Sequence, residues 1–226
     1  MKKTYGVVIA AGGSGTRFGS DIPKQFVDAL GIPVIAHTIS KFNSCDYISK
    51  IVIAVHKDYV VFCSDIVKRF GYSKVTSIVQ GGTTRQESVF KALKTLDTDY
   101  VLIHDAARPC IDLESISKCC QALQKYKACA VGAKATDTVK VSDDGEYITG
   151  TLDREKLWLI QTPQCFDREF ILSCHKKAAF DKIAVTDDCM LAEYYGEKVR
   201  LIETTRSNIK ITNYNDLAIA EVLLDD

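Results

Sequence analysis

The sequence predicts an α/β fold: a Rossmann-like, mostly parallel sheet with helices on both faces and a β-hairpin set into it. Three observations predict it. Short Val/Ile-rich runs alternate with stretches whose apolar residues recur at helical spacing, the links between them are short, and one Asp-Gly turn breaks the alternation.

Taken in order, Gly6–Ala10, Ile51–Val55, Val75–Val79, Tyr100–His104 and Cys129–Ala133 are the expected strands. They are short, apolar and Val/Ile-rich, and read as strands buried on both faces. Val34–Phe42, Tyr59–Phe70, Gln86–Leu96 and Leu113–Tyr126 are the expected helices between them. Thr84-Arg85-Gln86-Glu87 has the form of a capping box, and Gly71 stands where a helix C-terminal glycine belongs. The pattern changes after Ala133. Thr136–Val141 and Tyr147–Leu152 flank Asp143-Asp144-Gly145, a hairpin signal. Val139 and Val141 alternate with polar Lys140 and Ser142, so the ribbon is at most half buried. It reads either as an arm serving association or as an antiparallel edge of the same sheet. Beyond it, Leu157–Ile160, Arg168–Lys177, Asp187–Tyr195, Val199–Ile202, Ile209–Ile211 and Tyr214–Leu224 resume mixed α/β. Without an internal repeat or linker, residues 1–226 read as one domain carrying an arm at about 135–156.

Composition narrows the function. With 46% apolar and 26% charged residues the chain is an ordinary globular one. Its 29 basic residues balance 29 acidic ones, so there is no bulk pull toward nucleic acid or an anionic membrane, and any anion site must be local. No apolar run approaches the roughly 20 residues of a membrane span, and no signal-length apolar stretch follows Met1-Lys2-Lys3, which points to the cytoplasm. The nine cysteines form no C-x-x-C pair, and the four histidines show no ligand spacing. Most of these cysteines lie in apolar stretches and read as reduced, buried packing residues.

The first strand runs into Ala10-Ala11-Gly12-Gly13-Ser14-Gly15-Thr16-Arg17-Phe18-Gly19. Closely spaced glycines let backbone N–H groups turn inward around phosphate oxygens. The spacing fits neither G-x-G-x-x-G, which has one residue fewer, nor a P-loop, which needs Gly-Lys-Ser/Thr. Arg17 within the loop and Lys24 after Pro23 add a planar fork and a point charge, a pair suited to a triphosphate.

That loop, with Pro23-Lys24-Gln25-Phe26, resembles the signature of the sugar-phosphate nucleotidyltransferases, and more narrowly the methylerythritol phosphate cytidylyltransferase family of the non-mevalonate isoprenoid route. Gly81-Gly82-Thr83-Thr84-Arg85-Gln86-Glu87-Ser88-Val89, His104-Asp105-Ala106-Ala107-Arg108-Pro109, Thr162-Pro163-Gln164-Cys165-Phe166 and Asn208-Ile209-Lys210-Ile211-Thr212 agree in order and spacing, so the match spans nearly the whole chain. Two departures stand out. Ala10-Ala11-Gly12-Gly13 replaces the common Pro-Ala-Ala-Gly, and Thr204 and Ser207 stand where many members carry Gly and an acid.

The resemblance implies a role for each motif. Ala10, Ala11, Gly12, Gly13, Gly15, Gly82, Thr83, Ser88 and Ala106 surround CTP, with Gly82, Thr83 and Ser88 at the cytosine, where small residues form a slot that excludes a purine. Asp105, at the C-terminal end of its strand, holds Mg²⁺ or another divalent cation between itself and the phosphates. Arg17 and Lys24 neutralise the donor phosphates. Thr138 and Arg154, on the two strands of the arm, reach across a homodimer interface to the partner's acceptor site, which Thr162 and Lys210 complete near strand ends. The implied reaction is attack by the acceptor's phosphate on the α-phosphorus of CTP, which requires no general base because the attacking phosphate is already ionised. The alternatives are a cytidylyltransferase for ribitol or another alditol phosphate, and a silent nucleotide-binding relative. The latter loses Lys24, Arg154 or Lys210, and all three are present.

Overall fold

The computed structural model describes residues 3–13 and 22–225. Its strands are β1 (Tyr5–Ala11), β2 (Asp28–Ala29), β3 (Ile32–Pro33), β4 (Ile48–Val55), β5 (Val75–Gln80), β6 (Tyr100–Asp105), β7 (Ala128–Lys134), β8 (Lys140–Val141), β9 (Gly150–Thr151), β10 (Trp158–Asp167) and β11 (Arg200–Glu203). The α-helices are α1 (Val34–Asn43), α2 (Val60–Arg69), α3 (Arg85–Thr95), α4 (Leu113–Ala122), α5 (Arg168–Asp181), α6 (Asp188–Tyr194) and α7 (Tyr214–Asp225).

Among the described residues, seven strands form the central sheet in the order β11-β7-β10-β6-β1-β4-β5. All pairings are parallel except those of β10, which runs antiparallel to both β6 and β7. The inner strands β1, β4, β6 and β7 are apolar on both faces because both faces are covered, whereas β5 and β11, at the two edges, are partly exposed. Val7 and Ile9 of β1 point into one core with Ile35, Ile39 and Phe42 of α1, Ile66 of α2 and Ile116 of α4. Val8 points the other way, into a core with Val89 and Leu93 of α3, Ile171 of α5 and Leu191 of α6. Each such side chain, fully buried, contributes roughly 1.5–3 kcal/mol.

Local signals read from the sequence are realised at the helix ends. The Thr84 side chain accepts from Glu87 N–H at 3.1 Å, and Gly71 takes φ +66° one residue beyond the Phe70 cap. The second half of the capping box differs, because the Glu87 carboxylate reaches back to the Thr83 N–H and hydroxyl, both at 2.8 Å. Eight of the nine cysteines are buried and Cys110 is partly so. The thiols of Cys119, Cys129 and Cys165 come within 4.8 Å of one another across α4, β7 and β10.

Of the two readings of the hairpin, the edge of the main sheet falls: the hairpin is a ribbon of its own, with only β8 and β9 paired, and the antiparallel strand of the main sheet is β10, inside it. Two expectations are corrected. Thr138 and Arg154 are not on ribbon strands: Thr138 precedes β8, and Arg154 opens the short 3₁₀ turn Arg154–Lys156. Ile209–Ile211 is not a strand either. It is tied to the turn after β6 by Ile211 N–H donating to Ala107 O at 2.9 Å, with Ile211 buried and Lys210 exposed. No helix among the described residues is long and apolar enough to cross a membrane.

Candidate active site

The parallel strands end together on one side of the sheet, and there the chain opens a cleft of about 720 Å³. One wall is the end of β1, Ala10 to Gly13. Buried Gln25 holds it, donating through Nε2 to Ala11 O at 2.8 Å and Gly13 O at 3.1 Å. Lys24 stands beside Gln25 on the cleft. The opposite wall is the turn between β5 and α3. Ser88 Oγ accepts the Gly82 N–H at 3.0 Å and donates to Thr84 O at 2.8 Å, so the turn is laced to the first coil of the helix. A Cβ at Gly82 would lie 2.3 Å from Glu87 Cβ, and the close approach of turn and helix therefore requires glycine.

The floor is the end of β6. Ala106 N–H donates to Ala10 O at 3.0 Å, and Thr38 Oγ1 donates to Ala106 O at 2.8 Å, so this strand end is fixed from two sides. Asp105 faces the cleft with its side chain 11% exposed. Its Oδ1 accepts from Arg85 Nε at 3.0 Å and its Oδ2 from Lys210 Nζ at 2.6 Å. Burial pushes this carboxyl up, and the Arg85 and Lys210 cations outweigh it, so the group stays ionised well below the usual carboxylate range. Arg108, in the turn after β6, donates through Nη1 to Asn208 O at 2.7 Å. That bond, with Asn208 Nδ2 donating to Gln161 Oε1 and Thr162 O at 2.8 Å each, places the segment that carries Lys210.

Behind Asp105 lies a buried chain of bonds. Asp105 N–H donates to Thr162 Oγ1 at 3.1 Å, the Thr162 hydroxyl meets His104 Nδ1 at 3.1 Å, and His104 Nε2 meets Arg108 O at 3.0 Å. Burial holds the His104 imidazole down at about 4, so at neutral pH it is uncharged, with the Nε2–H donating.

Most of the residues singled out in the sequence therefore share one cleft: Ala10, Ala11, Gly12, Gly13, Lys24, Gly82, Thr83, Ser88, Asp105, Ala106 and Lys210 all line it. Thr162 does not; it is 4% exposed, and its hydroxyl supports Asp105 from the rear. Thr138 and Arg154 are exposed on the arm, where Arg154 Nη1 donates to Thr136 O at 2.8 Å. Gly15 and Arg17 lie outside the described residues. Sequence reading did not assign Arg85 or Gln25, although both stand inside motifs it quoted. It also missed Asp188, which accepts from Arg85 Nη1 at 2.7 Å.

The donor set suits a divalent cation of the magnesium kind. A buried carboxylate at a strand end facing the cleft, beside backbone and cations arranged for phosphates, matches an ion that takes one or two carboxylates and completes its shell with phosphate oxygens and water.

A family profile described as IspD, 2-C-methyl-D-erythritol 4-phosphate cytidylyltransferase, matches residues 5–226. Curated proteins of that description from Clostridium novyi (strain NT) and Clostridium kluyveri (strain NBRC 12016) are similar to this chain at 43% and 44% identity. The first alignment covers 100% of this chain and 98% of the relative, the second 98% and 96%. The crystal structure of 4-diphosphocytidyl-2C-methyl-D-erythritol synthase from Anaerococcus prevotii DSM 20548 superposes with a TM-score of 0.87 at 34% identity, over 99% of this chain and 97% of that one.

Proposed function

The chain belongs to the 2-C-methyl-D-erythritol 4-phosphate cytidylyltransferase family, and from that premise we infer that it joins CTP and 2-C-methyl-D-erythritol 4-phosphate into 4-diphosphocytidyl-2-C-methyl-D-erythritol and pyrophosphate, a step of non-mevalonate isoprenoid synthesis. The observation that carries it is the convergence on one cleft of the glycine wall of β1, the Gly81–Gly82 turn, Asp105 and Lys210, all in the sequence order the family signature requires. The cytoplasm, where CTP is at hand, is the proposed compartment.

In the proposed mechanism the cytosine enters the slot at Gly82, Thr83 and Ser88, and the triphosphate lies along Ala10–Gly13 with Lys24 and Arg17 against its charge. An oxygen of the acceptor's phosphate attacks the α-phosphorus in line. The new P–O bond forms as the bond to the β-phosphate oxygen breaks, and pyrophosphate leaves with the electron pair. No residue has to remove a proton, which agrees with a site whose buried histidine is uncharged and turned away from the cleft. Catalysis is positioning and charge neutralisation. Asp105 would hold Mg²⁺ or another divalent cation, which when bound neutralises charge developing on the α-phosphate. Lys210, on a half-exposed stem, can pass its ammonium from Asp105 to an incoming phosphate.

A homodimer completes the reading. Tyr147 and Ile148 on the arm are 71% and 67% exposed, and Leu159 and Ile160 at its base 52% and 38%, exposed apolar side chains that support association with a second copy. Arg154 and Thr138 would then serve the partner's acceptor. The test is pyrophosphate release with CTP and a panel of polyol phosphates. Selective turnover of methylerythritol phosphate is expected; preference for ribitol phosphate would shift the assignment to the alditol-phosphate enzymes.

A further inference from the structure

Asp188 has no place in the mechanism above, yet one side chain separates it from the metal-side carboxylate. It is the first residue of α6 and its side chain is 2% exposed. Oδ2 accepts from Arg85 Nη1 at 2.7 Å, and Oδ1 meets His175 Nε2 at 3.0 Å. His175 is itself 1% exposed, and its Nδ1 has no partner among the described residues, so the ring meets Asp188 as an N–H donor. Gln164 Oε1 accepts the N–H groups of Asp188 and Cys189 at 2.9 and 3.1 Å, which pins the helix start. A carboxylate this buried is costly unless paired, and its paired cation is the same Arg85 that holds Asp105.

We propose that Asp188 is a positioning residue acting on Asp105 through Arg85, its buried charge setting how strongly the Asp105 face of the cleft holds a divalent cation. The inference rests on the reading of Asp105 as the metal-side carboxylate. The charge balance carries it. Asp105, Lys210 and Arg85 alone sum to one positive charge, which repels a cation. With Asp188 the group is neutral, and once Lys210 moves to a phosphate the remaining Arg85, Asp105 and Asp188 carry one negative charge. Arg85 also keeps a fixed direction, because Nη1 and Nε are committed to two carboxylates at once. Asp188 thus lets Arg85 orient Asp105 without cancelling it.

The test measures the dissociation constants of metal-free CTP and of Mn²⁺–CTP at pH 8, without acceptor, for the full-length protein and four variants. The ratio of the two constants isolates the metal's share from nucleotide binding. Asp188→Asn, which removes one of the two carboxylates that balance Arg85 and Lys210, should lower that ratio at least tenfold, since one unit charge within about 10 Å of a cation shifts its binding by at least that much at an effective dielectric constant of roughly 20. Arg85→Gln should raise it, and the double variant should return toward wild type. A role in packing alone moves both single variants the same way, or moves the two constants together, and either result overturns the proposal. If circular dichroism shows Asp188→Asn unfolded, the direction of Arg85→Gln decides: a raised ratio supports the proposal and an unchanged or lowered one overturns it. Asp105→Ala separates the two readings. If wild type shows no more metal preference than Asp105→Ala, the metal reading of Asp105 falls; if it does, and Asp188→Asn and Arg85→Gln fail to diverge, only the role of Asp188 falls.

Discussion

The Ser88 hydroxyl accepts the Gly82 N–H at 3.0 Å, and through this bond a helix side chain sets the position of the turn at the end of β5. The same oxygen would lie 2.8 Å from a Cβ placed on Gly12 or Gly81, so the two glycine walls of the cleft close around one small polar group.

Replacing that group should therefore loosen nucleotide binding. Ser88→Ala leaves a partly buried N–H without its acceptor, at a cost of about 1–3 kcal/mol, and should raise the CTP KM by about tenfold with a smaller change in kcat. Gly82→Ala should be worse, because the turn must move away from Glu87 to admit a methyl group. CTP titrations of both variants check this. An unchanged KM in both would remove the turn from the base site.

Asp105→Asn keeps the shape but loses the charge that faces the phosphates and one of the two acceptor oxygens that Arg85 and Lys210 use. Its kcat should fall on the order of 10²–10³-fold at saturating Mg²⁺, and Lys24→Ala should lower kcat more than it raises the CTP KM. Full activity of Asp105→Asn in EDTA-treated enzyme would exclude the metal role.

Arg154 and Lys24 should belong to the same site only across a dimer. Arg154→Ala and Lys24→Ala homodimers should each be nearly inactive. In a mixed dimer one site carries both lesions and the other neither, so subunit exchange should restore up to about half the wild-type activity per heterodimer. No recovery, with exchange verified by mass spectrometry, would show that Arg154 serves its own chain.

His104 should make stability depend on pH. Burial holds its folded value at about 4, below the roughly 6.5 of an unfolded chain, so between those values the unfolded state binds the extra proton. Stability is full above that window and declines as pH falls through it, by about 3 kcal/mol at the lower end. Urea unfolding at pH 7.5 and pH 5 should show this decline in wild type and a smaller one in His104→Asn. Equal slopes in the two proteins would assign the effect to other groups.

The parallel strands and their helices were legible because apolar runs and helical periodicity are local properties; β1, β4, β5, β6 and β7 lie within three residues of the expected ends. The direction of a strand is not local. Trp158–Asp167 looked like a shorter run because Pro163 interrupts it, and the pairing with β7 does shift register between Ile160 and Gln164. The β2–β3 ribbon was missed for a similar reason. Its turn is Leu30-Gly31, at φ 52° and 79°, and leucine gives no turn signal. The site was legible wherever a motif faces the cleft. Thr162 was misplaced because spacing does not tell which side of Asp105 a hydroxyl takes, and the Arg85–Asp188 pair spans 103 residues that no local pattern connects.

At the base of the arm, Ala135 N–H donates to Leu157 O at 3.0 Å, so the chain leaves the sheet and re-enters it across a single hydrogen bond. The segment between is thus an excursion with coincident ends rather than a link between distant parts. An insertion of that kind can lengthen, shorten or change sequence over evolutionary time while β7 and β10 stay paired and the cleft keeps its shape. For protein engineering the same closure marks the place to cut: a tight turn spliced between Ala135 and Leu157 should yield a chain that keeps the cleft and loses Thr138 and Arg154 as one piece.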